Sequence, residues 1–175
     1  NSIQRRASSS IHAMVHFYKH RPVESGLDVG DDDVPDETLD EVQGQEELAR
    51  ATAELAQIVA TWPDDAVDTK YNEVHHLLGQ LAGGRSDYKL VVFAFFRETL
   101  EYLQRRLSEA GIGAVLLHGG VPSGERPALI ERFRTDPRVR VLLSSKVGSE
   151  GLDFQFCDTM VNYDLPWNPM EVEQR

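Results

Sequence analysis

Only one cysteine, Cys157, stands among the 175 residues, so no disulfide can close within the chain and a reducing cytosol is the expected compartment. Lying beside Phe154 and Phe156, that thiol reads as a small buried filler rather than a nucleophile. No apolar run approaches the roughly 20 residues that span a bilayer. The start of the chain is basic, but no continuous apolar core follows it, so no signal peptide is expected and no membrane partner. Ligand spacing is missing too. His118 has no suitably placed partners, and His75 and His76, adjacent on a predicted helix, point in different directions, so no metal site is expected. Bases are absent from residues 24–48, which hold eleven acids; outside that segment 18 acids face 18 bases. The net charge of −11 therefore belongs to one stretch, and the neutral remainder can still carry a basic face toward a nucleic acid. The acidic stretch reads as a solvated linker or, more sharply, as a phosphate mimic competing for a basic groove.

What is present divides the chain in two. Ile3, Ala7, Ile11, Met14, Val15 and Tyr18 recur at helical spacing, with Arg5, Ser9 and His16 on the opposite face. A single amphipathic helix must bury its stripe on a neighbour. Residues 22–44 lack periodicity and read as loop. A second helix over 45–61 would turn Leu48, Ala51, Leu55, Ile58 and Val59 to one side and end at Trp62-Pro63. A third over 68–82 has Asp68 as N-cap, Val74, Leu77, Leu78 and Leu81 inward, and Gly83-Gly84 as its stop. We take residues 1–66 as a helical lead-in with an acidic flexible linker at about 22–44, and 67–175 as a separate lobe.

From Lys89 the pattern changes. Short apolar runs at 89–93, 113–117, 139–143 and 159–163 alternate with helical segments at 97–110 and 122–135. The first helix would bury Leu100, Leu103, Leu107 and Ala110 and stop at Gly111; the second, opened by Pro122-Ser123, would bury Leu129, Ile130 and Phe133. Pro169 suits the first turn of a last helix. This alternation predicts βαβ units, a parallel sheet and an α/β fold. Ligands of such sheets bind at the carboxyl ends of strands. That edge would gather Ala94–Arg97, His118-Gly119-Gly120, Ser144–Asp153 and Asp164–Asn168. The small-residue loop Ser144-Ser145-Lys146-Val147-Gly148-Ser149-Glu150-Gly151-Leu152-Asp153 can present amides to an anion, and Asp153 can accept from a sugar hydroxyl. A Rossmann-type enzyme would need a glycine-rich turn after the first strand, where this chain has Ala94-Phe95-Phe96-Arg97.

The succession Val91–Leu100, Leu117-His118-Gly119-Gly120, Glu125-Arg126, Ser144–Asp153, Tyr163-Asp164-Leu165-Pro166-Trp167-Asn168-Pro169 and Glu173-Gln174-Arg175 resembles the C-terminal RecA-like lobe of superfamily 2 helicases, in the SWI/SNF-like branch and its bacterial RapA-like ATPases. Asp68-Thr69-Lys70 matches the lead-in to that lobe, and Gln4–Ser10 resembles the helical segment that joins the two lobes. The resemblance covers about 86–175 and implies a parallel RecA-like (P-loop NTPase-like) sheet preceded by a helical segment. It implies half of an ATP-driven translocase acting on nucleic acid, duplex DNA first, with an RNA polymerase or another DNA-bound protein as a further partner. It implies that Ser145, Lys146, Gly148, Arg126 and Arg97 face the nucleic acid, and that Gly151, Asp153, Gln174 and Arg175 face the nucleotide. ATP and Mg²⁺ would be held by an N-terminal lobe, since no Gly-x-x-x-x-Gly-Lys-Ser/Thr and no Asp-Glu-x-His box occurs here. The catalytic arginine fingers are expected beyond Arg175, so the chain alone should be inactive. Trp167 reads as loop packing or as a base-stacking platform. The alternative is a degenerate lobe that only docks to nucleic acid or protein. The bacterial cytoplasm, at the nucleoid, is the expected location.

Overall fold

The computed structural model describes residues 9–20, 50, 53–54, 56–63, 66–145 and 154–164. In chain order they form α1 (Ile11–His20), a helical stretch at 56–61, α2 (Thr69–Gly84), β1 (Leu90–Phe93), α3 (Arg97–Glu109), β2 (Gly113–Leu117), α4 (Arg126–Thr135), β3 (Val139–Ser144) and β4 (Met160–Asn162). The four strands are parallel, in the order β2-β3-β1-β4. Strands β1 and β3 are central and nearly continuous in apolar side chains because both their faces are covered. The edge strands β2 and β4 are less buried.

Successive side chains of β1 separate the two cores. Leu90 and Val92 pack with Val141, Leu143, Leu100, Leu103, Leu107, Val74 and Leu78, under α2 and α3. Val91 and Phe93 pack with Val115, Leu117, Leu142 and Phe133, under α4. Phe154 and Cys157, on the connection from β3 to β4, lie on the α4 side. The chain leaves β1 toward β2 and leaves β3 toward β4, so these neighbouring strands send their connections in opposite directions. Their carboxyl ends form the switch point at which open α/β sheets bind ligands.

Several local expectations are corrected. Gly83-Gly84 does not stop α2: both are helical, and the Arg85 amide still bonds the Leu81 carbonyl at 3.0 Å. Helix α4 begins at Arg126 rather than at Pro122, because residues 122–125 form a turn closed by the Glu125 amide on the Pro122 carbonyl (2.9 Å). In α4 only Phe133 is fully buried, while Leu129 and Ile130 are partly so. Ala110 is exposed as the α3 cap, and Thr99 and Tyr102 take the inward positions instead. Ile11 and Ile58 are exposed, whereas Ala13, Met14, Val15 and Val59 are buried. Ser9, expected on the polar face of the first helix, is buried. Ile3, Ala7, Leu48, Ala51, Leu55, the acidic linker and the helix expected from Pro169 lie outside the described residues. No helix among the described residues is long and apolar enough to cross a membrane.

Gly113 opens β2 where the register against β3 shifts. A Cβ there would run into the Arg138 carbonyl oxygen. We expect Gly113→Ala to cost about 2–3 kcal/mol, since backbone must move to admit the methyl. The readout is a lower urea midpoint with an unchanged slope; an unmoved midpoint would show that the strand start yields freely.

Candidate functional site

The carboxyl ends of the strands are level. Phe93 and Leu117 both lie opposite Ser144, and Phe93 lies opposite Asn162. Pairing runs one residue further: the Ala94 amide bonds Ser144 (3.2 Å), the Ser145 amide bonds Leu117 (3.0 Å) and the Tyr163 amide bonds Phe93 (2.8 Å). The loops after β1 and β2 and the starts of the loops after β3 and β4 therefore leave one edge together. This is the convergence expected from the alternation of elements.

One half of the edge is basic. Arg97 opens α3 and is exposed, its Nε paired with Glu101 one turn on at 2.7 Å. The His118–Gly120 loop lies against it: a Cβ on Gly120 would stand 4.0 Å from an Arg97 guanidinium nitrogen and 3.0 Å from the His118 ring. A side chain at position 120 would press on the His118 ring. The Gly120 amide donates to His118 Nδ1 (3.0 Å), which places the proton of neutral His118 on Nε2. Arg126 turns back into this loop, donating to the carbonyls of Val121 (3.0 Å) and Gly119 (3.2 Å). Its guanidinium is a brace for the turn. Ser145 is 1 % exposed, so its hydroxyl is not offered to solvent, and its amide is already used by Leu117. Lys146, Gly148, Gly151, Asp153, Gln174 and Arg175 lie outside the described residues. Of the residues expected to face nucleic acid, Arg97, Arg126 and Ser145 are thus located at one edge, and Arg97 is the exposed one.

The other half of the edge is a polar junction that the pattern of residues did not mark. Asp164, directly after Tyr163, is 6 % exposed. Its Oδ2 accepts from the Ser9 hydroxyl (2.7 Å) and the Phe95 amide (2.9 Å), and its Oδ1 from Lys70 Nζ (3.1 Å). Lys70 also donates to the Ser9 carbonyl (2.7 Å) and lies over the Tyr163 ring at 4.2 Å. Ser9 Oγ meets Thr99 Oγ1 at 2.9 Å. A second junction centres on Asp68. Its Oδ1 caps α2 by accepting from the Tyr71 amide (2.9 Å), and its Oδ2 accepts from the Tyr102 hydroxyl (2.6 Å). His12 Nδ1 stands 3.7 Å from the same Oδ2, and its ring meets Trp62 edge-on at 5.3 Å. Arg106 donates to the Tyr102 oxygen (2.8 Å) and covers the Tyr71 ring at 4.1 Å. The Asp68 cap is as expected; its reach to α1 and α3 is not visible in the sequence.

Burial raises the phenol pKa of Tyr71, Tyr102 and Tyr163, and the neighbouring Asp68 carboxylate adds to each. Groups held above their ordinary value near 10 contribute stability that is whole below it and is lost as pH climbs toward the folded-state value. Lys89, lowered by burial, acts oppositely and adds stability as pH approaches 10.5. We expect the melting temperature to fall above about pH 10.5, and Tyr102→Phe to make that fall shallower. Melting curves from pH 8 to 11 with equal slopes for both proteins would refute this. Cys157 is half-buried rather than buried, its thiol raised by burial and donating to the Lys89 and Thr159 carbonyls (both 3.3 Å). Among the described residues no three of His, Cys, Asp and Glu gather to hold a metal.

A parallel sheet between helices, with a loop-rich carboxyl edge at its switch point, defines a RecA-like lobe. The helicase conserved C-terminal domain family matches residues 69–175, and the chain belongs to that family. It is 43% identical over 89 residues to the uncharacterized ATP-dependent helicase YqhH of Bacillus subtilis (strain 168), an alignment covering 51% of this chain and 16% of YqhH. The C-terminal part of the Fun30 ATPase domain is similar at a TM-score of 0.58 and 21% identity, over 74% of this chain and 43% of that one. The Sulfolobus solfataricus SWI2/SNF2 ATPase C-terminal domain is similar at 0.54 and 15%, over 93% and 69%. At such identities the two structures speak for the fold alone, that of a RecA-like lobe.

Proposed function

We propose that the chain is the C-terminal lobe of an ATP-dependent translocase of the SWI/SNF type. It grips the backbone of duplex DNA and completes an ATP site shared with an N-terminal lobe. The observation that carries this reading is the levelled carboxyl edge, where Arg97 and the His118–Gly120 loop stand side by side in a chain of the helicase family. Arg97 and Lys146 hold phosphates by charge. Gly148 lets backbone approach them closely, Ser145 anchors the start of its loop to Leu117, and Arg126 keeps the 118–121 turn in shape. Gly151, Asp153, Gln174 and Arg175 face the nucleotide. Arg97 and the 118–121 turn suit anions and not Mg²⁺, and the Asp164 carboxylate is already engaged by Ser9, Phe95 and Lys70, so we assign the metal to the other lobe. ATP, when bound between the lobes, supplies the free energy for movement. This lobe's own part is to hold the backbone in one cleft state and release it in the other, which makes the grip salt-dependent.

The test is ATP turnover by the full-length protein with duplex DNA, duplex RNA or no nucleic acid. Duplex DNA should stimulate turnover about tenfold, equivalent to ~1.4 kcal/mol of barrier. Stimulation by RNA alone would reassign the track. Stimulation by neither would sink the translocase reading and leave a docking module. Residues 1–175 alone should not hydrolyse ATP; turnover that scaled with their concentration would contradict the two-lobe arrangement.

A further inference from the structure

The Asp164 junction is the place where the lead-in segment meets the loop that carries Arg97. One carboxylate oxygen, Oδ2, serves both: it accepts from the Ser9 hydroxyl at 2.7 Å and from the Phe95 amide at 2.9 Å. Phe95 lies two residues before Arg97, and Phe96 caps α3 without a side-chain hydrogen bond. The direction in which α3 starts is therefore fixed from outside the helix, by Phe95 on Asp164 and by Thr99 on Ser9. Ser9 is held at three points: its hydroxyl by Asp164 and Thr99, and its carbonyl by Lys70. The Ser9, Thr99 and Asp164 groups are shielded from water, at 3 %, 2 % and 6 % exposure, while the Lys70 side chain is 39 % exposed. In such surroundings a hydrogen bond between two charged groups is stronger than one with a neutral partner, so a carboxylate that loses a neutral donor is drawn toward its charged one, here Lys70.

We propose that Asp164 is a positioning residue that makes the grip of Arg97 depend on the seating of Ser9. With Ser9 seated, Oδ2 is shared and Phe95 holds Arg97 beside the His118–Gly120 loop. When the Ser9 hydroxyl is withdrawn with the lead-in segment, Oδ2 loses a donor and Lys70, on Oδ1, draws the carboxylate toward itself. The Phe95 amide then loses alignment, and Arg97 moves off the backbone track. A displacement of the segment before α1 is thereby converted into a change of affinity at the sheet edge, with no contact between the two. This rests on the reading of that edge as a nucleic-acid surface; the coupling of Ser9 to Phe95 does not.

The experiment uses the full-length protein and two substitutions that remove a hydroxyl, Ser9→Ala and Thr99→Val, with Thr99→Ser as the conservative partner. Hydrogen exchange at the Phe95 amide should quicken about tenfold in the first two, while amides of β1 and β3 keep their protection. Affinity for a fluorescein-labelled duplex should weaken up to about fivefold, the whole of one phosphate contact, with the KM for ATP unchanged, and Thr99→Ser should restore both values. An unaltered Phe95 amide would overturn the coupling. So would exchange that rose equally throughout the sheet, since Ser9 would then be merely structural. If Phe95 responds while the wild-type protein binds no duplex, the coupling stands and the reading of the edge falls.

Discussion

Asp68→Ala should destabilise the chain by about 3–4 kcal/mol, because one small side chain serves three elements. Loss of the cap on α2 costs about 1 kcal/mol. The Tyr102 hydroxyl then keeps Arg106 on its oxygen but has no acceptor for its proton, and a buried donor so stranded costs about 1–3 kcal/mol. His12 loses its nearby carboxylate, which loosens α1 on α3. For a chain of this size 1 kcal/mol corresponds to roughly 2–4 °C, so the melting temperature should drop by about 10 °C. Asp68→Asn keeps an oxygen for the Tyr71 amide or the Tyr102 hydroxyl and should lose no more than half as much. The order of the two variants in thermal melts is the decisive result. Equal losses would mean that charge, not hydrogen-bond geometry, carries the junction, and a loss under about 1 kcal/mol for alanine would mean that water replaces the carboxylate.

What could be read from the sequence was whatever depends on neighbours in the chain. The strands stood out because β1 and β3 are apolar on both faces, and α3 because Leu100, Leu103 and Leu107 share one face. Two local rules hold at one residue and not at another. Proline does sit in the first turn of α4, but it is Pro127; Pro122 belongs to the turn before it. Glycine ends α3 with positive φ at Gly111 (φ 73°), as expected, but the same rule fails at Gly83-Gly84, both of which are helical. The polar junctions were hidden for a different reason. Ser9 meets Thr99 across 90 residues and Asp164 across 155, and no periodicity registers a bond of that span. The rotation of α1 that buries Ala13 and exposes Ile11 follows from the same bonds, since Ser9 must point inward to reach them. At the edge itself, motif order brought Arg97, Arg126 and Ser145 together, but it could not tell a side chain that reaches outward from one folded onto its own loop.

That difference between Arg97 and Arg126 gives the larger functional prediction. An arginine that binds a phosphate directly releases counterions from the duplex, and its removal should lower the salt slope of binding by about 0.9. Arg97→Ala should do this, and the pair Arg97→Ala with Lys146→Ala should lower it by about 1.8 in the full-length protein. Two phosphate contacts at about 1 kcal/mol each also weaken binding some 30-fold at low salt, and the mutant and wild-type curves should converge as salt rises. Arg126 should behave otherwise. Its fork spans two carbonyls of the 118–121 turn, so Arg126→Ala loosens the turn rather than deleting a charge from the track. Affinity should fall by a similar factor at every salt concentration, with nearly parallel lines, and Arg126→Lys should not restore it, because one ammonium lacks the planar fork. Anisotropy titrations of a labelled duplex from 50 to 300 mM salt separate the two cases. A slope change for Arg126→Ala as large as that for Arg97→Ala would show that its guanidinium leaves the turn when duplex binds, and the edge would then grip with both arginines.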